Sequence, residues 1–164
     1  MSQQARNQWK MLSKAIALAS EKHESVLDKG GKPYILHVLR VMTEMPEDDP
    51  ELRQVAVLHD VVEDTDVTFE YLIKLGFSPR VVDGLVAMTH QPTDSYVNYV
   101  REIKKNPDAR VVKRADLRDN SNITRLKGVT EKDIARMVKY QRAYLYLTDK
   151  MSEYEYVNGE SSNE

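Results

Sequence analysis

Apolar residues fall at helical spacing along most of the chain. Ala5, Trp9, Leu12, Ile16, Ala19 and His23 recur in steps of four and three, which marks one face of a first helix, while Lys10, Lys14 and Glu21 fall off that stripe. The segment DKGGKP interrupts it, because two glycines and a proline continue a helix only at a penalty. A second helix is predicted over 34–45 and ends at PEDDP. Pro50 opens a third, which carries Leu52, Val55, Ala56 and Leu58 into HDVVED. Asp66 or Thr68 starts VTFEYLIKL, which Gly76 stops, and Ser78-Pro79 reads as N-cap and first turn of VVDGLVAM. Asp94 or Ser95 caps YVNYVREIKK, and Pro107 opens the helix that contains VVKRADLRDN. Thr130 with Asp133 is a capping-box variant, and Ile134, Met137, Val138, Tyr144 and Leu145 form the apolar stripe of the last long helix. No alternating run demands a strand. The pattern predicts an all-α fold of seven to eight helices in one domain over 1–151, followed by a polar, flexible tail over 152–164.

Composition narrows the function. With 24 Lys plus Arg against 26 Asp plus Glu, the net charge of −2 excludes a polyanion-binding protein by bulk charge. KRADLR and REIKK are brief basic stretches on helices and read as solvated faces, so no nucleic-acid partner is expected. Zero cysteine excludes a disulfide scaffold, an iron–sulfur cluster and a thiolate zinc site. The longest stretch free of charged residues, Gly84 to Thr93, is too short to span a membrane, and MSQQARNQWK lacks a signal-peptide core. The expectation is a soluble, cytoplasmic protein, with oligomeric state left open.

Chemistry concentrates in HDVVED. On one helix His59, Asp60, Glu63 and Asp64 occupy positions i, i+1, i+4 and i+5, so an imidazole and three carboxylates point into one small volume. An acidic stretch is ordinarily a solvated helix end. Here it is flanked by VAVL and interrupted by VV, which sets it beside the core, where a divalent cation relieves carboxylate repulsion. Two further ligand types lie on apolar helical faces. His37 sits in KPYILHVLRV, where a lone histidine is ordinarily a core residue. Asp116 sits in VVKRADLRDN, with Asn120 one turn on and Lys113 or Arg114 as alternative partners.

The order of these motifs, Gly31-Lys32-Pro33-Tyr34-Ile35-Leu36-His37, then His59 to Thr65, then Val112-Lys113-Arg114-Ala115-Asp116 with Asn120, resembles the HD-domain metal phosphohydrolases. Within them it is most similar to the hydrolase domain of the RelA/SpoT proteins and their small stand-alone relatives, over roughly Ala15 to Leu126. The resemblance implies one metal ion, usually Mn²⁺, held by His37, His59, Asp60 and Asp116, a donor set suited to a borderline-to-hard divalent ion. It implies Glu63 and Asp64 as catalytic acid–base residues. It assigns Asn120, Lys32, Tyr34, Lys113 and Asp28 to the substrate, a small nucleotide. The implied reaction is removal of the 3′-pyrophosphate from guanosine alarmones. The alternatives are the same chemistry on an adenosine alarmone, the 2′-phosphate of NADPH or a simple nucleotide, and a non-catalytic metal-binding module. The chain departs from the family at Asp28, where the relatives carry a base-contacting arginine, and at Lys32, where they often carry an acid. Val38 stands in place of a proline and Arg114 in place of an aliphatic residue. His23 matches a family histidine and is expected in a core or supporting role, whereas His90 reads as a surface residue.

Overall fold

The computed structural model describes residues 2–159, and among them ten α-helices and one 3₁₀ turn carry the whole fold. α1 (Gln3–Lys22) buries Met11, Leu12, Ala15, Leu18 and Ala19, a face that shares Leu12 and Ala19 with the predicted stripe and leaves Ala5, Trp9 and Ile16 half-buried beside it; it is capped by the Ser2 hydroxyl, which accepts from the Ala5 N–H. α2 (Ile35–Thr43) and α3 (Pro50–Leu58) follow. α3 is central: Leu52, Gln54, Val55, Ala56, Val57 and Leu58 are all buried, and it packs on α1 and α2. On its far side it meets α6 (Pro79–Met88), then α8 (Pro107–Asn120). The α3–α6 crossing is close because Gly84 has no side chain; a Cβ there would stand 2.9 Å from Val55 Cγ2.

The cap residues sit where the sequence puts them. Thr68 caps α5 (Phe69–Lys74), Ser78 caps α6 and Ser95 caps α7 (Tyr96–Lys105). Asn106 caps α8, and Thr130 with Asp133 forms a full capping box on α9 (Glu131–Leu147). Gly76 ends α5 at φ +92, in the left-handed region glycine favours.

Three expectations are corrected. HDVVED is not one continuous helix. α3 stops at Leu58, His59 and Asp60 form a turn, and α4 (Val61–Asp64) restarts one residue later. The physical reason is local: His59 Nδ1 bonds the Ala56 carbonyl at 2.7 Å, a side-chain contact that competes for the last turn of α3. The stripe assigned to α9 is not its buried face: Met137, Tyr144 and Leu145 are only half-buried. Ala143, Tyr146 and Leu147 are buried, while Ile134 and Val138 are half exposed over an open groove. The segment after Ser152 is not a flexible tail as far as Asn158. A second capping box, Ser152 with Glu155, starts α10 (Glu153–Asn158), and Tyr156 is buried with its ring stacked on Tyr146 at 4.5 Å. The remainder of that expected tail, 160–164, lies outside the described residues. No helix among the described residues is long and apolar enough to cross a membrane.

Candidate metal centre

Four side chains from three regions of the bundle converge. His37 comes from the first turn of α2, His59 and Asp60 from the α3–α4 turn, and Asp116 from the third turn of α8. His37 Nε2 lies 3.7 Å from Asp60 Oδ2 and 3.2 Å from Asp116 Oδ1. His59 Nε2 lies 3.0 Å and 3.6 Å from the same two oxygens. Donor atoms held about 2.0–2.2 Å from one ion would be spaced by roughly 3 Å at right angles, which is the range seen here.

The two imidazoles are oriented for this. His37 Nδ1 is 2.6 Å from Asp119 Oδ2, and His59 Nδ1 is 2.7 Å from the Ala56 carbonyl, so each Nδ1 carries the proton and each Nε2 faces the shared space. Both rings are almost fully buried, yet neither Nε2 makes a hydrogen bond, although carboxylate oxygens come as close as 3.0 Å. A buried nitrogen without a partner is costly unless something else occupies its lone pair. Among the described residues, His37, His59 and Asp60 offer ligand atoms mutually close enough for one ion, and Asp116 Oδ1 closes the set from the other side. The residues fit a divalent cation.

Electrostatics point the same way. Burial disfavours charge on every member. For His37 it is outweighed by Asp116 and Asp119, and for His59 by Asp60 and Asp116, so both imidazoles are held above their ordinary pKa. Burial is likewise outweighed at Asp60, where His59 draws the carboxyl down to about 2, and at Asp116, which Lys113 and the histidines hold well below the ordinary carboxylate range. The carboxylates therefore stay ionised and require positive charge beside them, from protons or from a cation.

The remaining sequence-assigned residues divide. Tyr34, just before α2, donates its hydroxyl to Asp60 Oδ2 at 2.5 Å, and Asn120 Nδ2 donates to Asp116 Oδ1 at 2.6 Å, so each touches a carboxylate of the cluster. Both also line a cavity of about 350 Å³ beside His37. Lys113 pairs with Asp116 Oδ2 at 3.0 Å, and Lys32 is exposed; neither lines that cavity. Asp28 does line it, but its carboxylate is turned into its own loop. Oδ1 accepts from the Gly30 and Lys32 N–H groups at 2.9 Å each, and Oδ2 lies 3.5 Å from Arg125 Nη1, so the carboxylate supports its loop and pairs with that arginine. Glu63 and Asp64 ride α4, one turn beyond Asp60. Glu63 Oε2 accepts from the His90 N–H at 2.9 Å. Burial and the charges of Asp60 and Glu63 push the Asp64 carboxyl above its ordinary value. His90 is a half-buried neighbour of the site rather than a surface residue, with its ring edge-on to Tyr99 at 4.8 Å. His23 is buried, 5.0 Å ring to ring from Tyr34.

Sequence reasoning missed Asp119, Arg125, Arg136 and Tyr140. Asp119 follows Asp116 by three on α8, a spacing that puts both on one face and was legible. Arg136 and Tyr140 are a similar i, i+4 pair on α9 that lines the cavity. Arg125 lies in the 3₁₀ turn η1 (Ile123–Arg125) and had no local signal.

No protein-family model matches the chain. A guanosine-3′,5′-bis(diphosphate) 3′-pyrophosphohydrolase of Aquifex aeolicus is 32% identical over 119 residues, 66% of this chain and 17% of its own length. An enzyme of the same name from Vibrio cholerae is 43% identical over 79 residues, 45% of this chain and 11% of its own. One from Danio rerio is 44% identical over 83 residues, 46% of each chain. The chain thus spans less than half the length of these curated relatives. In fold, a solved metazoan orthologue of SpoT that hydrolyses ppGpp superposes with a TM-score of 0.68 at 23% identity, covering 92% of this chain and 95% of that one. In sequence the chain is thus similar to guanosine-3′,5′-bis(diphosphate) 3′-pyrophosphohydrolases, and in fold to the metazoan orthologue of SpoT.

Proposed function

We propose that the chain is a divalent-metal-dependent nucleotide phosphohydrolase that releases the 3′-pyrophosphate of guanosine alarmones, the reaction for which the relatives are named. One observation carries the metal dependence: two buried imidazoles, each fixed through Nδ1, aim unpartnered Nε2 atoms at two ionised carboxylates. His37, His59, Asp60 and Asp116 would hold the ion. When bound, it supplies Lewis-acid polarisation of phosphoryl oxygens and a water of lowered pKa. Manganese is the working ion of this reading, and the cytoplasm its compartment.

The chain's own residues do the rest. Tyr34 and Asn120 donate to Asp60 and Asp116 and so fix the direction of both ligand carboxylates. Lys113 balances the charge of Asp116 at Oδ2, while Oδ1 faces the two histidines. Asp64, with its raised pKa, retains a proton more readily than an ordinary carboxyl and is suited to protonate the leaving group. Glu63, held by the His90 N–H, is suited to take a proton from the attacking water. The nucleotide occupies the cavity between Tyr34 and Tyr140, where Arg125 and Arg136 face its phosphates.

A second reading keeps the chemistry and changes the nucleotide. It is favoured by Asp28, whose carboxylate is held by its own loop and by Arg125, where the relatives carry an arginine. The test is a manganese-supplemented screen of phosphate and pyrophosphate release over guanosine and adenosine alarmones, NADPH and common nucleotides. Pyrophosphate release greatest from guanosine 3′-pyrophosphates supports the first reading. Preference for another nucleotide selects the second, and no release from any of them returns the chain to a metal-binding module.

A further inference from the structure

The wall of the cavity and the ligand His37 are joined by a chain of charges. Asp119 accepts from His37 Nδ1, and it is clamped by two guanidinium groups. Arg40 Nε bonds its Oδ1 at 2.6 Å, and Arg40 Nη2 its Oδ2 at 3.0 Å. Arg125 Nη2 lies 3.0 Å from Oδ2 and bonds the Asp119 backbone carbonyl at 2.8 Å. The two arginines differ in origin. Arg40 is three residues from His37 on α2 and is carried rigidly with it, whereas Arg125 arrives from η1 and reaches back to Asp28 Oδ2 at 3.5 Å. Asp28 in turn organises its own loop through the Gly30 and Lys32 N–H groups. Loop and turn are pressed together, since a Cβ on Gly30 would collide with the Arg125 carbonyl oxygen.

The geometry points to Arg125 as a positioning residue for His37. Paired at once with Asp28 in the pocket wall and with Asp119 behind the imidazole, it makes the order of the 28–32 loop and the aim of His37 Nε2 one cooperative unit. A guanidinium suits this role because its fork of donors engages two carboxylates and a carbonyl together, which an ammonium does less well. The carboxylate it steadies sets the tautomer and orientation of the ring, and such outer partners typically alter metal affinity 10- to 100-fold. The inference rests on the reading of His37 as a metal ligand.

Titration of the purified full chain with Mn²⁺ alone tests it, with no substrate required. Arg125→Ala is expected to weaken Mn²⁺ binding by about 10- to 100-fold, and Arg125→Lys to recover part of that loss. Asp28→Ala should weaken binding in the same direction. The double variant should bind no more weakly than Arg125→Ala alone, because the two residues act through one path. Circular dichroism of the metal-free variants should match the unaltered protein, which separates positioning from loss of fold. If Arg125→Ala does not fold, Arg125→Lys and Asp28→Ala decide: weakened binding in both upholds the inference, and unaltered affinity in both overturns it. Unchanged affinity in a folded Arg125→Ala, or fully additive losses in the double variant, overturns it alone. Failure of the unaltered protein to bind Mn²⁺ overturns the metal reading and this inference together.

Discussion

The hydroxyl of Tyr34 donates to Asp60 Oδ2 at 2.5 Å, which ties the residue that precedes α2 to a carboxylate of the α3–α4 turn. The motif resemblance assigns Tyr34 to the substrate, whereas its hydrogen bond is to the ligand set. Tyr34→Phe separates the two roles. If the hydroxyl orients Asp60, the variant binds Mn²⁺ several-fold more weakly, within the range of about 10- to 100-fold for outer partners or below it, and KM at saturating metal is unchanged. A raised KM with unaltered metal affinity would return Tyr34 to the substrate.

Glu63 and Asp64 lie outside the ligand set, so Glu63→Gln and Asp64→Asn should keep the metal and lose turnover by about 10²–10⁴-fold, the usual scale of acid–base catalysis. Metal content and kcat, measured on the same preparations, check this. Loss of metal in either variant would make that carboxylate a ligand.

Asp64 also carries a stability signature. Burial and the neighbouring charges of Asp60 and Glu63 raise its pKa in the folded protein above the ordinary 3.8. Between those two values the folded chain binds more protons than the unfolded one, so stability falls as pH rises through that window. Asp64→Asn removes the penalty. Its Tm should exceed that of the unaltered protein at pH 7, and the difference should vanish below pH about 3.8, where both states of the carboxyl are protonated. Thermal melts of the metal-free proteins from pH 3 to 8 measure it.

Asp28 departs most from the relatives, and a residue-by-residue view suggests that an arginine there would improve guanosine recognition. Its two backbone hydrogen bonds within the loop argue otherwise. Asp28→Arg removes the acceptor of the Gly30 and Lys32 N–H groups and should lower kcat/KM for every nucleotide tested. A selective gain with guanosine substrates would show that the loop tolerates the loss.

Gly84 tests the packing that carries α3. Gly84→Ala gains helix propensity of about 1 kcal/mol, but its Cβ meets Val55, a fully buried and rigid side chain, at 2.9 and 3.1 Å. Overpacking of this kind typically opposes folding by about 1–3 kcal/mol, so the net change is predicted to be destabilising in urea melts. Val55→Ala in the same chain should reverse part of it.

Much of this was legible in the chain itself. Capping residues such as Ser78, Ser95 and Thr130 act locally, and local signals survive in a sequence. That His37 and Asp116 would meet His59 and Asp60 was legible in the order of the three motifs, each of the two interrupting an apolar face. The break after Leu58 was not, because it depends on His59 turning its own ring back onto the Ala56 carbonyl. Arg125 stood outside sequence reasoning for a different reason: its partners, Asp28 and Asp119, are brought to it only by the tertiary fold. The helix at Glu153–Asn158 carries a local signal, the Ser152–Glu155 capping box, that its short polar sequence obscured; the burial of Tyr156 against Tyr146 comes only with the tertiary fold.

The metal content of protein purified without chelator tests the central claim most directly. Elemental analysis should find one divalent ion per chain in the unaltered protein and a large loss in His59→Ala, with pyrophosphate release from guanosine-3′,5′-bis(diphosphate) falling in parallel. Equal metal content in the two proteins, or full activity of His59→Ala in excess chelator, would contradict the account.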